Sequence, residues 1–302
     1  MLIYIPNVGE EERIGSSFNH LINVIRDTEM SGGSVVWDFS NVSFLHPCFL
    51  APLAIYRVTS GRDIRCVNPS ITVGSYLDSI YFNDPLQFKS NSSEIIKGIL
   101  SGYTSKNYTP VCSFSMTDEN KDAFGTIIKD VIVRQTQLPK QGVTPISYFI
   151  GELLDNIYEH SESNRGFIFS QYLKREGMIY LCIADEGITV YNSYKKANVY
   201  LDEIEGDEAV ALSLANEGCS TKERPHAETR GYGIPTSKKM LVEGMGGAFF
   251  MLSGGAFHRY GNKGENDFVN LGNIFRWNGT IILLKIPTTM PENFNYTKYL
   301  DY

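Results

Sequence analysis

Apolar residues along the chain follow two rhythms that alternate with each other. In the first hundred residues a short strand (Leu2–Pro6) precedes Ser16–Asp27, where Phe18, Leu21, Ile22 and Ile25 recur at helical spacing. A Ser-Gly-Gly-Ser loop (31–34) leads into V-V-W-D-F-S (35–40), which reads as a buried strand. Pro47 suits the first turn of a helix running to about Arg57, and I-R-C-V (64–67) reads as a further strand. From about Leu86 to Tyr108 the chain turns rich in Ser, Asn, Lys and Gly around a short helix (Ser93–Leu100), and this composition marks a linker.

The second half repeats the alternation. V-C-S-F-S-M (111–116) predicts a strand, and Asp118–Gln137 predicts a helix with Phe124, Ile127, Ile128, Val131 and Ile132 inward. Residues 138–143 read as a loop. In Ile146–His160 the positions Ile146, Phe149, Ile150, Leu153 and Ile157 make the apolar face of an amphipathic helix. F-I-F-S-Q-Y-L (167–173) and M-I-Y-L-C-I-A-D (178–185) predict two strands around a K-R-E-G turn, Glu208–Asn216 a helix, and G-T-I-I-L-L-K-I-P (279–287) a closing strand. Helices alternating with strands predict an α/β fold, divided here into domains at 1–100 and 109–302.

Composition adds limits. At 302 residues two domains are expected, and 42% hydrophobic with 20% charged residues describes an ordinary globular protein. A net charge of −7 argues against non-specific binding of nucleic acid or an anionic membrane. The five cysteines are scattered without a CxxC pair, which fits reduced thiols. The N-terminus lacks the basic start and apolar run of a signal peptide, and the longest apolar stretch, Phe44–Tyr56, is broken by His46, Pro47 and Pro52. A cytoplasmic protein without a membrane segment is the expectation.

Three stretches carry candidate chemistry. On the helix 146–160, Glu152 and Asn156 stand four residues apart on a polar face. A carboxamide oxygen there suits Mg²⁺, and a carboxylate one turn earlier suits the orientation or deprotonation of water. The strand ending at Asp185 continues as D-E-G-I-T (185–189), where a carboxylate beside Gly187 suits a heterocycle bearing an exocyclic amine. T-R-G-Y-G-I-P (229–235) places Gly231 and Gly233 before a helix, an arrangement able to cradle phosphate with backbone N–H groups. Each alone also reads as something ordinary: a solvated helix face, an acidic turn, a glycine-rich loop.

Taken in order, E-L-L-D-N, D-E-G-I-T, R-G-Y-G-I and a late G-T-I-I-L-L strand resemble the GHKL ATPase superfamily, which includes histidine kinases, anti-sigma serine kinases, type II topoisomerases and mismatch-repair ATPases. The resemblance covers about residues 110–290 and implies a Bergerat-type α/β sandwich, a mixed sheet with helices on one face, binding ATP and Mg²⁺. It implies Asn156 as the Mg²⁺ ligand, Asp185 as acceptor for the adenine amine and Gly187 as room for the ring. Gly231 and Gly233 would wrap the phosphates, and Glu152 would stand where hydrolytic members keep the water-activating carboxylate. Lys222, in S-T-K (220–222), would touch phosphate, and Thr280 would support the adenine end. Thr189 replaces the second glycine of the usual D-x-G-x-G box. The roughly forty residues from Val190 to Thr229 suit a nucleotide lid.

Upstream, V-V-W-D-F-S-N-V-S-F-L-H-P-C-F-L resembles the centre of STAS domains, with His46-Pro47-Cys48 where that family carries a phosphorylated serine. The acceptor hydroxyl is missing, which implies an interaction module. His46 and Cys48 are expected to pack rather than react. Together the two resemblances imply an ATP-dependent regulator, a slow ATPase or nucleotide-gated switch acting on a regulatory protein partner. A serine/threonine kinase of the anti-sigma type and a non-hydrolysing nucleotide-binding module are the alternatives, and a homodimer stays open.

Overall fold

Two sheets organise the chain. A computed structural model describes residues 1–10, 13–89, 93–115, 117–163, 165–221, 233–261, 264–272 and 275–300. The first sheet is parallel and three-stranded, with β1 (Leu2–Tyr4), β2 (Val35–Asp38) and β3 (Ile64–Val67) in that order. Helix α1 (Ile14–Glu29) joins β1 to β2, α2 (Pro47–Thr59) joins β2 to β3, and α3 (Ile71–Ser79) follows.

The second sheet is mixed and eight-stranded. Its members are β4 (Leu86–Phe88), β5 (Cys112–Ser115), β6 (Arg165–Leu173), β7 (Met178–Asp185), β8 (Ala248–Gly254), β9 (Ala256–Gly261), β10 (Glu265–Asn270) and β11 (Trp277–Pro287). They lie in the order β10-β9-β8-β11-β7-β6-β5-β4, antiparallel except for the β4–β5 pair. Its helices are α4 (Ser93–Ser101), α5 (Asp118–Thr136), α6 (Lys140–His160), α7 (Val190–Ala197), α8 (Leu201–Ile204), α9 (Glu208–Asn216) and α10 (Gly233–Lys239), the last running into a wide π turn at Met240–Gly244.

Successive side chains in a strand point to opposite faces, and here both faces are buried. Ile168, Ile179, Leu181, Ile183, Met251, Ile282 and Leu284 join one core with Phe124, Ile128, Phe149, Ile150 and Leu153 of α5 and α6. Their neighbours Phe167, Phe169, Tyr180, Cys182, Phe250, Leu252, Ile281 and Leu283 join a second core with Phe18, Leu21, Trp37, Phe49 and Leu53 of the N-terminal region. Burial on both faces is why these strands read as continuous apolar runs. The N-terminal region thus covers the face that α5 and α6 leave bare: α2 packs on β6 and β7, and Phe18 of α1 meets Phe257 at 4.8 Å and Phe250 at 6.1 Å between ring centroids.

Several elements differ from the sequence reading. The expected linker 86–108 carries β4 and α4, and Phe88, Ile96 and Leu100 are buried in the α5–α6 core. Its polar composition suits an edge strand and a surface helix. Helix α6 begins at Lys140 rather than Ile146, and within its first turn Gly142 lies close to Leu138 and Met290, a contact invisible to local propensity. The strands β8, β9 and β10 were not anticipated; β8 is a short apolar run that length alone cannot assign.

The His46–Cys48 turn packs, as expected. His46 caps α2 by accepting the Cys48 N–H at Nδ1 (3.2 Å), and its ring meets Tyr180 edge-on at 4.8 Å. Burial pushes the His46 imidazole down to about 4 and the Cys48 thiol well above its usual value, so both stay neutral.

A shared core predicts shared unfolding. Phe18→Ala should cost about 3–5 kcal/mol, the usual range for a buried phenylalanine, and lower a single cooperative urea transition. Two separate transitions, with only the first displaced, would show that the two sheets are not coupled.

Candidate functional site

The apolar side of α6 anchors it on the sheet and turns its polar face toward a cavity of about 540 Å³. Glu152, Asp155, Asn156, Glu159 and His160 of that face line the cavity. The floor is made by side chains of three adjacent strands, Asp185 at the end of β7, Met251 of β8, and Thr280 and Ile282 of β11. Thr189 and Val190 at the start of α7, the turn from Gly218 to Thr221, and Gly233 with Ile234 of α10 close the rim. The volume lies within the range of small-ligand pockets.

Asp185 is the best-supported polar group on the floor. The residue is 2% exposed, and its Oδ1 accepts the Gly187 N–H at 2.8 Å. Burial pushes its carboxyl up to about 7, opposed by backbone N–H donation from Gly187 and Thr280 and aided by the charge of Glu186. A register shift in β11 between Trp277 and Thr280 brings the backbone of Gly279 against this carboxylate. Gly279 sits at φ +87°, and a Cβ there would stand 2.4 Å from the Asp185 carbonyl oxygen, so only glycine fits. Beside it the Ser253 hydroxyl meets the Thr280 hydroxyl at 3.0 Å and accepts the Val190 N–H at 2.9 Å, tying β8, β11 and the start of α7 together.

At the other end, Asn156 donates Nδ2 to the Glu152 carbonyl at 2.6 Å, one turn back on α6. With the nitrogen committed to the helix, the amide oxygen is the atom suited to a cation. Gly233 lies directly over this pair: a Cβ would come within 2.2 Å of Glu152 Oε2 and 3.5 Å of Asn156 Nδ2. Burial raises the Glu152 carboxyl above the ordinary range, and the neighbouring charges of Asp155 and Glu159 raise it further, as suits a proton acceptor.

Of the residues singled out in the sequence, Glu152, Asn156, Asp185, Gly233 and Thr280 meet at this one cavity. Gly187 does not line it. A Cβ on Gly187 would stand 1.9 Å from the Ser161 carbonyl oxygen, which itself accepts the Ile188 N–H at 2.7 Å. The glycine therefore lets the end of α6 close on the 185–188 turn instead of leaving room for a ring. Thr189, where a second glycine was expected, caps α7 by accepting the Asn192 N–H at 3.2 Å. Lys222 and Gly231 lie outside the described residues.

The expected lid also differs. Its described part, 190–221, holds three helices, of which α7 and α9 pack on the sheet and α8 packs on α9. Glu208 binds Arg276 at 2.7 Å and the Gly255 N–H, Asp207 accepts from Asn270 at 2.9 Å, and Leu212 is fully buried. Tyr194, Ile204 and Ala211 give these helices a small core of their own. Those ties hold α9 in place, which limits any lid to a shorter piece than the forty residues first expected.

Sequence reasoning missed Lys121 of α5, which lines the cavity and is bound to Asp155, and Tyr148 of α6, whose hydroxyl burial pushes up to about 12. A lysine in an unremarkable helix gives no motif to find. Among the described residues no group of three or more His, Cys, Asp or Glu side chains is placed to hold a metal, so any cation here would take an amide oxygen and ligands brought by the substrate. Comparison with protein-family models gives no match, and comparison with curated proteins gives none.

The raised Asp185 carboxyl has a testable effect. Between its ordinary 3.8 and about 7 the folded protein holds a proton that the unfolded chain has lost. This group therefore makes stability fall as pH rises through that window. Asp185→Asn should flatten the fall, measured as the urea unfolding free energy at each pH. Parallel pH profiles for the two proteins would mean that Asp185 is already ionised when folded.

Proposed function

We propose that this cavity binds ATP with Mg²⁺ and that the protein is a nucleotide-dependent regulator of the GHKL type, hydrolysing ATP slowly or switching on its binding. The observation that carries the reading is the meeting of Glu152, Asn156, Asp185, Gly233 and Thr280, drawn from four separate stretches of chain, around one cavity of nucleotide size. The mixed sheet with α5 and α6 on the cavity face supports the same reading, as does the N-terminal region as a STAS-like module on the opposite face.

In this reading Asp185 accepts the exocyclic amine of adenine, held in place by the Gly187 N–H and by the close backbone of Gly279. Ser253 and Thr280 fix the strand ends around it. At the phosphate end the Asn156 amide oxygen would hold Mg²⁺, whose part is to neutralise charge on the phosphate oxygens. Glu152 stands beside it, half-buried and with raised proton affinity, to orient water and take its proton as it attacks the terminal phosphorus, whose bond to the bridging oxygen breaks and releases ADP. Gly233 keeps the backbone of α10 close enough to confine that water.

A protein acceptor in place of water would make the same site a serine/threonine kinase. The turn where a STAS domain carries its acceptor offers no target here, since His46, Pro47 and Cys48 are buried and none bears a hydroxyl. In this second reading the acceptor is a hydroxyl on a separate partner.

The test is calorimetric titration with ATP and ADP in the presence of Mg²⁺. Asn156→Ala should weaken Mg²⁺–ATP binding at least about tenfold, the cost of one metal ligand's supporting interactions, while Glu152→Ala should bind ATP but lose phosphate release. Binding without release by the wild type would leave a switch, and labelled phosphate on a partner would point to the kinase. Absence of ATP binding by the wild type would end this reading.

A further inference from the structure

Lys121 is in an expensive place for a structural lysine. It lies in the first turn of α5, where the N–H of Lys121 already bonds to the Thr117 carbonyl at 2.9 Å and where the helix macrodipole disfavours positive charge. Its side chain is 11% exposed, and it is the one Lys or Arg among the described residues that line the cavity. Around that lining stand Glu152, Asp155 and Glu159 on the polar face of α6. The ammonium bonds to Asp155, lies 4.0 Å from Asp122 and stands 4.9 Å from the centre of the Tyr158 ring.

The two partners of the Lys121–Asp155 pair are unequal. Asp155 is 47% exposed and returns to water at little cost, whereas Lys121 is held between α5 and α6. A buried lysine whose partner can leave is suited to exchange one anion for another. A phosphate group bound over Asn156 and Glu152 enters beside three carboxylates, and among the described lining residues Lys121 is the lysine placed to receive it.

We propose that Lys121 recognises the terminal phosphate of the bound nucleotide, leaving Asp155 for it, and so gives the site its preference for a triphosphate over a diphosphate. The proposal rests on the nucleotide reading of the cavity.

The experiment measures the dissociation constants of Mg²⁺–ATP, Mg²⁺–ADP and adenosine for the full chain and for Lys121→Met, Lys121→Arg and Asp155→Asn. Lys121→Met should weaken ATP about tenfold, as expected for one charge-assisted hydrogen bond, with ADP and adenosine unchanged. Lys121→Arg should recover most of the ATP preference, and Asp155→Asn should sharpen it by removing the competing anion. Equal loss of ATP and ADP in Lys121→Met, or loss of neither, overturns the proposal while leaving the nucleotide site intact. If Lys121→Met loses adenosine as well, its fold is damaged, and the Asp155→Asn ratio decides: an unchanged ATP-to-ADP preference there overturns the role of Lys121. No binding of any adenine nucleotide by the wild type would instead remove the cavity reading on which the proposal stands.

Discussion

Strands β6, β7, β8 and β11 bury apolar side chains on both faces, and most of the architecture follows from that constraint. An isolated sheet with this sequence would expose Phe167, Phe169, Tyr180, Phe250 and Leu283 on one side and Ile168, Ile179, Leu181, Ile183 and Leu284 on the other. Two layers must cover it. Helices α5 and α6 serve one face and the N-terminal region the other, so each half of the chain completes the core of its neighbour. The candidate site depends on the same layering. Asp185, Met251 and Thr280 project toward α6, while Ala184, Leu252 and Ile281, one residue away along the same strands, are buried against the N-terminal side.

That adjacency gives the cavity a rigid floor. Charged and polar groups at strand ends are held by the pairing of β7 with β11 and of β11 with β8, and Gly279 presses the Asp185 carboxylate from the side. Preorganisation of this kind keeps a buried acceptor aimed into a pocket without help from the ligand. The opposite end of the cavity is built differently, from one face of α6 and the first residue of α10. Its polar groups are therefore placed by helix packing, and a small rotation of α6 would move Glu152, Asp155 and Asn156 together.

The sequence disclosed the parts of this site that sit on strongly periodic elements. The α6 face, the end of β7 and the last strand were legible because each combines an apolar period with a polar group at a fixed offset. Strand β7 was bounded correctly at both ends, as was α9. What escaped depended on contacts between distant residues. Gly187 reads as a ring-binding glycine until the Ser161 carbonyl is seen to occupy the space above it. The edge strand Leu86–Phe88 has too few residues to announce itself and exists through pairing with β5. Lys121 gains meaning only from Asp155, thirty-four positions away. The lid was overestimated because acidic, helix-forming residues between two glycine boxes look detachable, whereas Glu208 and Asp207 bind the β9–β10 side of the sheet.

The N-terminal layer also limits how the chain can be divided. A fragment beginning near residue 109 would follow the compositional boundary, yet it would leave the aromatic face of β6, β7 and β8 bare and strip β4 from the edge beside β5. Such a truncation exposes a contiguous apolar surface together with an unpaired strand, the two features that most favour aggregation. The first hundred residues are the cover that keeps this face of the sheet out of water.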